Sequence, residues 1–223
     1  FKVRGQQQNT LAMARASEAV AISPTAKLQF AQLAHQTRTQ LQVAASMADA
    51  IWVLAESMLP GYAALFPELP VRFLPHGHVS GFATVQHRPE AECDIDFFFS
   101  GSLTEHRKRI LAELARDHKV VYQTPDAPEY LRQDHLSRSK VCLSLRLSER
   151  NDIPSVSRMH YHLQNRNFLL HEAYALPCPL DPFVLQAPTA DLPSWAAAAL
   201  QLPNRREIAR RIEEAAPDAI HIA

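Results

Sequence analysis

The chain has 223 residues, of which 47% are hydrophobic and 21% charged, and these proportions are typical of a globular protein. Lys plus Arg equals Asp plus Glu at 23 each, so the formal net charge is zero when the histidines are neutral. Because non-specific binding to nucleic acids or to anionic membranes needs an excess of positive charge, this balance argues against both kinds of partner.

Cysteine use and hydropathy indicate a compartment. The three cysteines, Cys93, Cys142 and Cys178, are far apart and form no CxxC pair. Secreted scaffolds pair their cysteines, so we expect a reducing compartment and a cytoplasmic protein. No apolar stretch approaches the length of a membrane span, and no signal peptide is visible. Cys142 lies in an apolar run, which predicts an inert buried thiol.

The amino-terminal part, residues 1–80, predicts a short or truncated α/β domain. Helical spacing and short apolar runs set its elements. The predicted elements are helices near 10–20, 28–46 and 56–66 and strands at 49–55 and 71–74. Residues 81–93 lack periodicity and contain Gly81 and Pro89, so we predict a linker there.

From residue 94 to residue 223, strand and helix patterns alternate. Such alternation implies βαβ units and predicts a Rossmann-like parallel sheet with helices on both faces. The predicted strands are 94–99, 119–122, 140–145, 167–171 and 182–186, and the predicted helices are 103–116, 126–135, 154–166, 191–200 and 204–215. In sheets of this kind, ligands bind beyond the carboxyl ends of the strands, at a switch in strand order.

The first turn of this second part is the one that organises the site. The apolar run Ile95–Phe99 is followed by Ser100, Gly101 and Ser102, and then by a helical pattern. Ser102 and Glu105 have the spacing of a capping box, which predicts a helix that begins near Ser102. The free backbone N–H groups of such a turn favour a phosphate, although most strand–glycine–helix turns bind nothing.

Two more polar clusters follow predicted strands. Arg158 lies in the first turn of the helix predicted from Pro154, where its guanidinium is suited to a diphosphate; the alternative is a surface ion pair. Glu172 directly follows an apolar strand and is placed to accept hydrogen bonds from both ribose hydroxyls. Its alternative role is an acid at a helix N-terminus.

Histidines form two HxH pairs, His76 with His78 and His160 with His162. On a helix, residues two apart point away from each other, so the second pair is a poor metal site. No third ligand is spaced to complete a zinc site with the first pair, and we therefore predict no metal and no cofactor. His76 is a candidate catalytic base, with a loop histidine satisfied by the protein as its alternative.

The common nucleotide-binding motifs are absent. The chain contains no GxGxxG, no GxxxxGK[ST] and no GxSxG, and it has only five glycines. This argues against a nicotinamide or flavin enzyme and against a P-loop NTPase. Any nucleotide is therefore held by a turn that is poorer in glycine.

The order of three motifs resembles that of a known family. The motifs are Asp94–Ser102 with the following Arg107; Val141–Arg146; and Ser157-Arg158 through Tyr161, Leu163, Asn165 and Leu169 to Glu172. Together they resemble the carboxyl half of GT-B glycosyltransferases, in particular the CgeB-like branch of bacterial enzymes. Residues 48–77 resemble the last unit of the amino domain, so the resemblance covers roughly residues 48–200.

The resemblance implies two Rossmann-like domains, a nucleotide-sugar held by the carboxyl domain and an acceptor that enters from the amino domain. It implies that helix ends and basic side chains, rather than a metal, neutralise the leaving diphosphate. It places Gly101 and Ser102 along the diphosphate, Arg158 on it, Glu172 on the ribose and Arg146 beside the sugar or phosphates. The donor-binding residues implied by the matching motifs are Gly101, Ser102, Arg107, Arg146, Ser157, Arg158, Tyr161 and Glu172.

The leading hypothesis is therefore a metal-independent glycosyltransferase that moves a sugar from a nucleotide-sugar to a hydroxyl of a glycan, lipid or protein. Relatives often carry an acidic residue a few positions before the arginine, where this chain reads Ile153-Pro-Ser-Val-Ser157. The alternatives are a non-catalytic nucleotide- or protein-binding module derived from a GT-B half, and a nucleotide-sugar epimerase of similar build.

Overall fold

The computed structural model of the chain describes residues 36, 38–77, 81, 83–150 and 153–215. It divides into two compact units: Phe1–Leu74 with Arg150–Asp152, and Pro75–Glu149 with Ile153–Ala223. The helix predicted at residues 10–20 and most of that predicted at 28–46 lie outside the described residues, although residues 38–45 are helical. Within the described residues, no helix has the length and apolar character that crossing a bilayer requires.

The first unit contains the predicted strand–helix–strand sequence. Strand β1 (Ile51–Val53) pairs in parallel with β2 (Val71–Phe73), and helix α1 (Leu59–Leu65) connects them. Pro60 lies in the first turn of α1, where its missing N–H has no intrahelical partner to lose. Tyr62 is buried and fixes the inward face of the helix.

The second unit is built on a five-stranded parallel sheet in the order β4-β3-β5-β6-β7. Its strands are β3 (Ile95–Ser100), β4 (Val120–Gln123), β5 (Ser139–Ser144), β6 (Leu169–Glu172) and β7 (Leu185–Ala187). Its helices are α2 (Glu105–Leu114), α3 (Glu129–Arg138), α4 (Val156–Gln164), α5 (Leu192–Gln201) and α6 (Arg205–Ala215). The predicted α/β class and parallel sheet are confirmed.

Helices cover both faces of this sheet, which explains why three consecutive apolar residues of β3 occur without alternation. Phe97, Phe98 and Phe99 are all fully buried. Neighbouring residues of a strand point to opposite faces. Phe97 and Phe99 therefore pack in one core with Ile110 of α2, while Phe98 packs in the other with Met159 of α4.

The strand order contains the switch that the sequence leads us to expect. From β3 the chain moves outward to β4, and it then returns to β5 on the other side of β3. The loops that leave β3 and β5 therefore diverge and open a crevice at the carboxyl edge of the sheet. This is where doubly wound sheets bind their ligands.

The segment predicted as a linker is bound to the second unit. The backbone N–H groups of Thr84 and Val85 donate to Asn165 Oδ1 at 2.9 and 3.1 Å. The N–H of Arg88 donates to the carbonyl of Ser137 at 3.1 Å. These contacts tie residues 84–88 to the carboxyl ends of helices α4 and α3.

The predicted start of α2 is wrong. Thr104, not Ser102, is the N-cap residue, and its Oγ1 accepts a hydrogen bond from the backbone N–H of Arg107 at 3.4 Å. The same hydroxyl donates to the carbonyl of Leu147 at 2.7 Å. Thr104 thereby joins the loop after β3 to the loop after β5. Its partner Leu147 is distant in sequence, so a local capping pattern does not reveal this contact.

Candidate functional site

Gly101 lies in the turn directly after β3, at a position where only glycine fits. Its φ is +150°, a backbone conformation that is essentially restricted to glycine. A Cβ on Gly101 would also lie 2.8 Å from Nη2 of Arg158 and 3.1 Å from Cζ of Phe99. The guanidinium of Arg158 therefore rests directly against the backbone of the predicted phosphate turn.

Arg107 joins the two loops at the switch point. Its side chain is only 5% exposed and donates to carbonyl groups alone. These bonds run from Nη1 to Ser102 O at 2.8 Å, from Nη2 to Leu145 O at 2.9 Å and from Nε to Arg146 O at 2.9 Å. Burial and the charge of Arg158 lower the pKa of Arg107 to about 10, so it remains a cation at neutral pH.

Arg158 lies beside it with most of its donors unused. The side chain is half-buried, and its one hydrogen bond to described residues runs from Nη1 to Leu145 O at 3.5 Å. The guanidinium carbons of Arg107 and Arg158 lie 5.2 and 5.4 Å from the centre of the same Phe99 ring. Burial lowers the pKa of Arg158.

Neither of these two cations forms an ion pair with an acid among the residues that the structure describes, although Glu172 acts on Arg107 at longer range. None of the ion pairs found there includes Arg107 or Arg158, whereas most other arginines of the unit pair with Asp or Glu. Two adjacent guanidinium groups repel each other, and burial adds a desolvation cost. An anion bound in the crevice would relieve both costs.

Glu172 ends β6 at the same edge and is fully buried. Its Oε1 accepts from His106 Nε2 at 2.8 Å and from Thr189 Oγ1 at 2.7 Å, while Oε2 accepts from the backbone N–H of Arg146 at 2.7 Å. The alternative reading as a helix N-terminal acid is wrong, because no helix begins there. His106 and Thr189 gave no sequence signal, since they reach Glu172 only through the fold.

Arg146 follows β5 and reaches toward a residue that the sequence analysis missed. Its Nη2 donates to the carbonyl of Glu149, and its guanidinium carbon lies 5.8 Å from the ring centre of Tyr174. The Tyr174 ring stacks on His171 at 4.9 Å, and burial raises the pKa of Tyr174. The sequence signal that could have identified Tyr174 as a site residue is an aromatic side chain two positions after Glu172.

Ser157 and His76 meet near the start of α4. His76 Nε2 and Ser157 Oγ are 2.8 Å apart, and burial lowers the pKa of His76. The His76 ring centre lies 5.6 Å from that of His160. His78 lies outside the described residues. His162 is fully buried, and burial lowers its pKa to about 3, so the two histidines of this helix occupy different surroundings.

Tyr161 is not brought into this group. Its hydroxyl donates to Glu129 Oε1 of α3 at 3.2 Å, and Arg132 lies 6.0 Å from its ring centre. Burial raises the pKa of Tyr161 to about 12. The structure thus brings Gly101, Arg107 and Arg158 close together, and Glu172 and Arg146 lie at the ends of the neighbouring strands. The carbonyl of Ser102 accepts a hydrogen bond from Arg107, but the residue is otherwise exposed.

No group of three or more His, Cys, Asp or Glu side chains that could hold a metal ion occurs among residues 38–77, 83–150 and 153–215. Cys142 is buried, and burial raises the pKa of its thiol to about 12, as its apolar run predicts.

The fold was compared with those of known proteins, and a solved structure matches it. No protein-family model and no curated protein matches the chain. The crystal structure of TarM, a glycosyltransferase, matches it with a TM-score of 0.50 and 13% sequence identity, over 83% of this chain and 42% of TarM. This chain therefore spans less than half the length of that protein. The likeness establishes the fold: a five-stranded parallel sheet flanked by helices, similar to that of a GT-B glycosyltransferase.

Proposed function

We propose that the crevice at the β3–β5 switch point binds a nucleoside-diphosphate sugar, and that the protein transfers the sugar to an acceptor hydroxyl without a metal ion. The observation that carries this proposal is the pair Arg107 and Arg158. Both guanidinium groups lie over one Phe99 ring, without a carboxylate at ion-pair distance among the described residues. A diphosphate supplies the missing negative charge.

The two arginines have different roles in this proposal. The guanidinium of Arg107 donates hydrogen bonds to three backbone carbonyl groups, so it holds the loops in place and contributes a fixed positive charge. Arg158 keeps donors for two parallel hydrogen bonds to phosphate oxygens. Charge develops on the diphosphate as the glycosidic bond breaks, and preorganised cations stabilise that charge most in the transition state.

Glu172, Arg146 and Tyr174 complete the proposed donor site. Glu172 Oε2 accepts one hydrogen bond within the protein and keeps capacity for one ribose hydroxyl, but because the carboxylate is fully buried that hydroxyl reaches it only if the surrounding loops move apart. Its bond to the Arg146 N–H also holds the loop that carries Arg146 beside the phosphates or the sugar. Tyr174 lies within the electrostatic influence of three arginines, where its hydroxyl is suited to a phosphate oxygen.

Nucleotide binding to variants tests the proposal. We expect one of UDP, GDP, CDP or dTDP to raise the melting temperature of the wild-type protein, because a ligand that binds only the folded state stabilises it. Arg158→Ala should weaken that nucleotide by about 10- to 100-fold, since hydrogen bonds to charged groups contribute about 1.5–3 kcal/mol. Titration calorimetry measures the loss.

The matched control is Arg116→Ala, which removes an exposed arginine beyond the far end of α2 and should leave affinity unchanged. Equal nucleotide affinity in Arg158→Ala and Arg116→Ala would refute the site. A wild-type protein that binds a nucleotide but releases none from any nucleotide-sugar would instead support the alternative, a binding module without turnover.

A further inference from the structure

The proposed donor site leaves one group unused: an imidazole paired with a hydroxyl beside Arg158. His76 Nε2 lies 2.8 Å from Ser157 Oγ. Ser157 and Arg158 are consecutive residues at the start of α4, and Arg158 Nη2 rests against Gly101. The imidazole therefore lies beside the first turn of α4, the turn that carries the cation assigned to the diphosphate.

We propose that His76 is the general base that takes the proton from the acceptor hydroxyl, and that Ser157 Oγ occupies the acceptor oxygen's position while no acceptor is bound. This inference rests on the proposed function. A base must lie within about 2.6–3.2 Å of the oxygen whose proton it removes. The separation of His76 Nε2 from an exposed hydroxyl meets that requirement.

The surroundings of His76 keep its imidazole neutral and therefore able to accept a proton. Burial lowers its pKa. The ring centre of His160 lies 5.6 Å away, and two neighbouring imidazoles disfavour double protonation. His76 Nδ1 is buried without a hydrogen-bond partner among the described residues, so Nε2 is the nitrogen that reaches a polar partner.

The reaction balances with these groups alone. The acceptor oxygen forms a bond to the anomeric carbon as the bond from that carbon to the diphosphate oxygen breaks, and the bonding pair leaves with the diphosphate. His76 Nε2 takes the acceptor proton and passes it to solvent after product release. The charge on the diphosphate is balanced by Arg107 and Arg158. A single displacement of this kind inverts the anomeric carbon.

The test uses His76→Asn with the nucleotide-sugar that stabilises the wild-type protein most. We expect His76→Asn to bind the nucleoside diphosphate with unchanged affinity, but to release it from the nucleotide-sugar, with water or added hydroxyl compounds as acceptor, about 100-fold more slowly. Retained affinity shows that the variant is folded. The control His118→Asn changes a histidine that packs on Phe97 before β4, at the opposite edge of the sheet, and should keep its release rate.

The pH profile gives a second readout that a structural role would not move. Because burial lowers the pKa of His76 below the ordinary histidine value of about 6.5, wild-type release should fall in acid only at a pH below that value, where protonated His76 is no longer a base. His160→Asn should shift this fall to another pH, whereas His76→Asn should abolish it. A release rate in His76→Asn within threefold of wild type, or nucleotide binding by wild type without any release, overturns the assignment of the base. Failure of the wild type to bind any nucleotide would instead refute the donor site itself.

Discussion

At the scale of single residues, chemically identical side chains have opposite uses. Arg107 and Arg158 touch the same aromatic ring, yet Arg107 is saturated by backbone carbonyls and Arg158 is not. Their spacing in the sequence does not distinguish them. What differs is whether the fold surrounds each guanidinium with acceptors or leaves it facing the crevice.

Gly101→Ala is expected to damage the site directly. The added methyl would lie 2.8 Å from Arg158 Nη2, and the backbone would hold alanine at a φ of +150°, which it rarely adopts, at a cost of about 1–3 kcal/mol. We predict a lower melting temperature and loss of nucleotide binding, because the guanidinium must move. Thermal unfolding with and without nucleotide measures both effects.

Gly61→Ala is the matched control for that substitution. A Cβ on Gly61 meets nothing within 4 Å, and the residue lies inside helix α1, where alanine is favoured over glycine by up to about 1 kcal/mol. Its stability should stay equal or rise. If Gly101→Ala behaves in the same way, the contact between Gly101 and Arg158 does not constrain the site.

At the scale of secondary structure, helix α2 owes its position to Thr104. The hydroxyl accepts the Arg107 N–H and donates to Leu147 O, so one atom caps the helix and joins two loops. Thr104→Val removes both bonds and keeps the shape. We predict a loss of about 1–2 kcal/mol in the free energy of unfolding, measured by urea denaturation.

Ser102 supplies the contrast for this element. Its side chain is exposed and caps no helix, so Ser102→Ala should change the free energy of unfolding by less than about 0.5 kcal/mol. If Ser102→Ala lowered the free energy of unfolding more than Thr104→Val does, Ser102 rather than Thr104 would be the N-cap residue of α2.

At the scale of the whole molecule, stability should depend on pH through buried neutral histidines. Burial lowers the pKa of His171 to about 4 and that of His162 to about 3, whereas both titrate near 6.5 when unfolded. Between these values the unfolded chain binds more protons than the folded one. The free energy of unfolding should therefore fall as pH drops below about 6.5, by up to about 1.4 kcal/mol per pH unit for each histidine.

Urea denaturation from pH 8 to pH 5 measures this dependence. His162→Gln removes one buried proton acceptor. Below pH 6.5 its free energy of unfolding should therefore fall less steeply with decreasing pH than that of wild type, by up to about 1.4 kcal/mol per pH unit, and above pH 6.5 the two dependences should be parallel. A slope identical to that of wild type throughout would mean that His162 is protonated in the folded protein.

The sequence by itself determined the elements and the class of the fold. Three consecutive phenylalanines predict a strand buried on both faces, and the strand–helix alternation predicts the parallel sheet, because both follow from local hydrophobic patterns. It also placed Arg158 and Glu172 at strand and helix ends. These features are local, so they can be read along the chain.

Only the tertiary structure decided which polar groups meet. The capping of α2 by Thr104 was hidden by a competing local pattern at Ser102. The three partners of Glu172, the contact of Arg146 with the Tyr174 ring and the contact of His76 with Ser157 all join residues distant in sequence. Hydrogen bonds form between groups that strand order and register bring within about 3 Å, and neither quantity is encoded by spacing along the chain. The roles of these polar groups therefore depend on how the sheet is assembled.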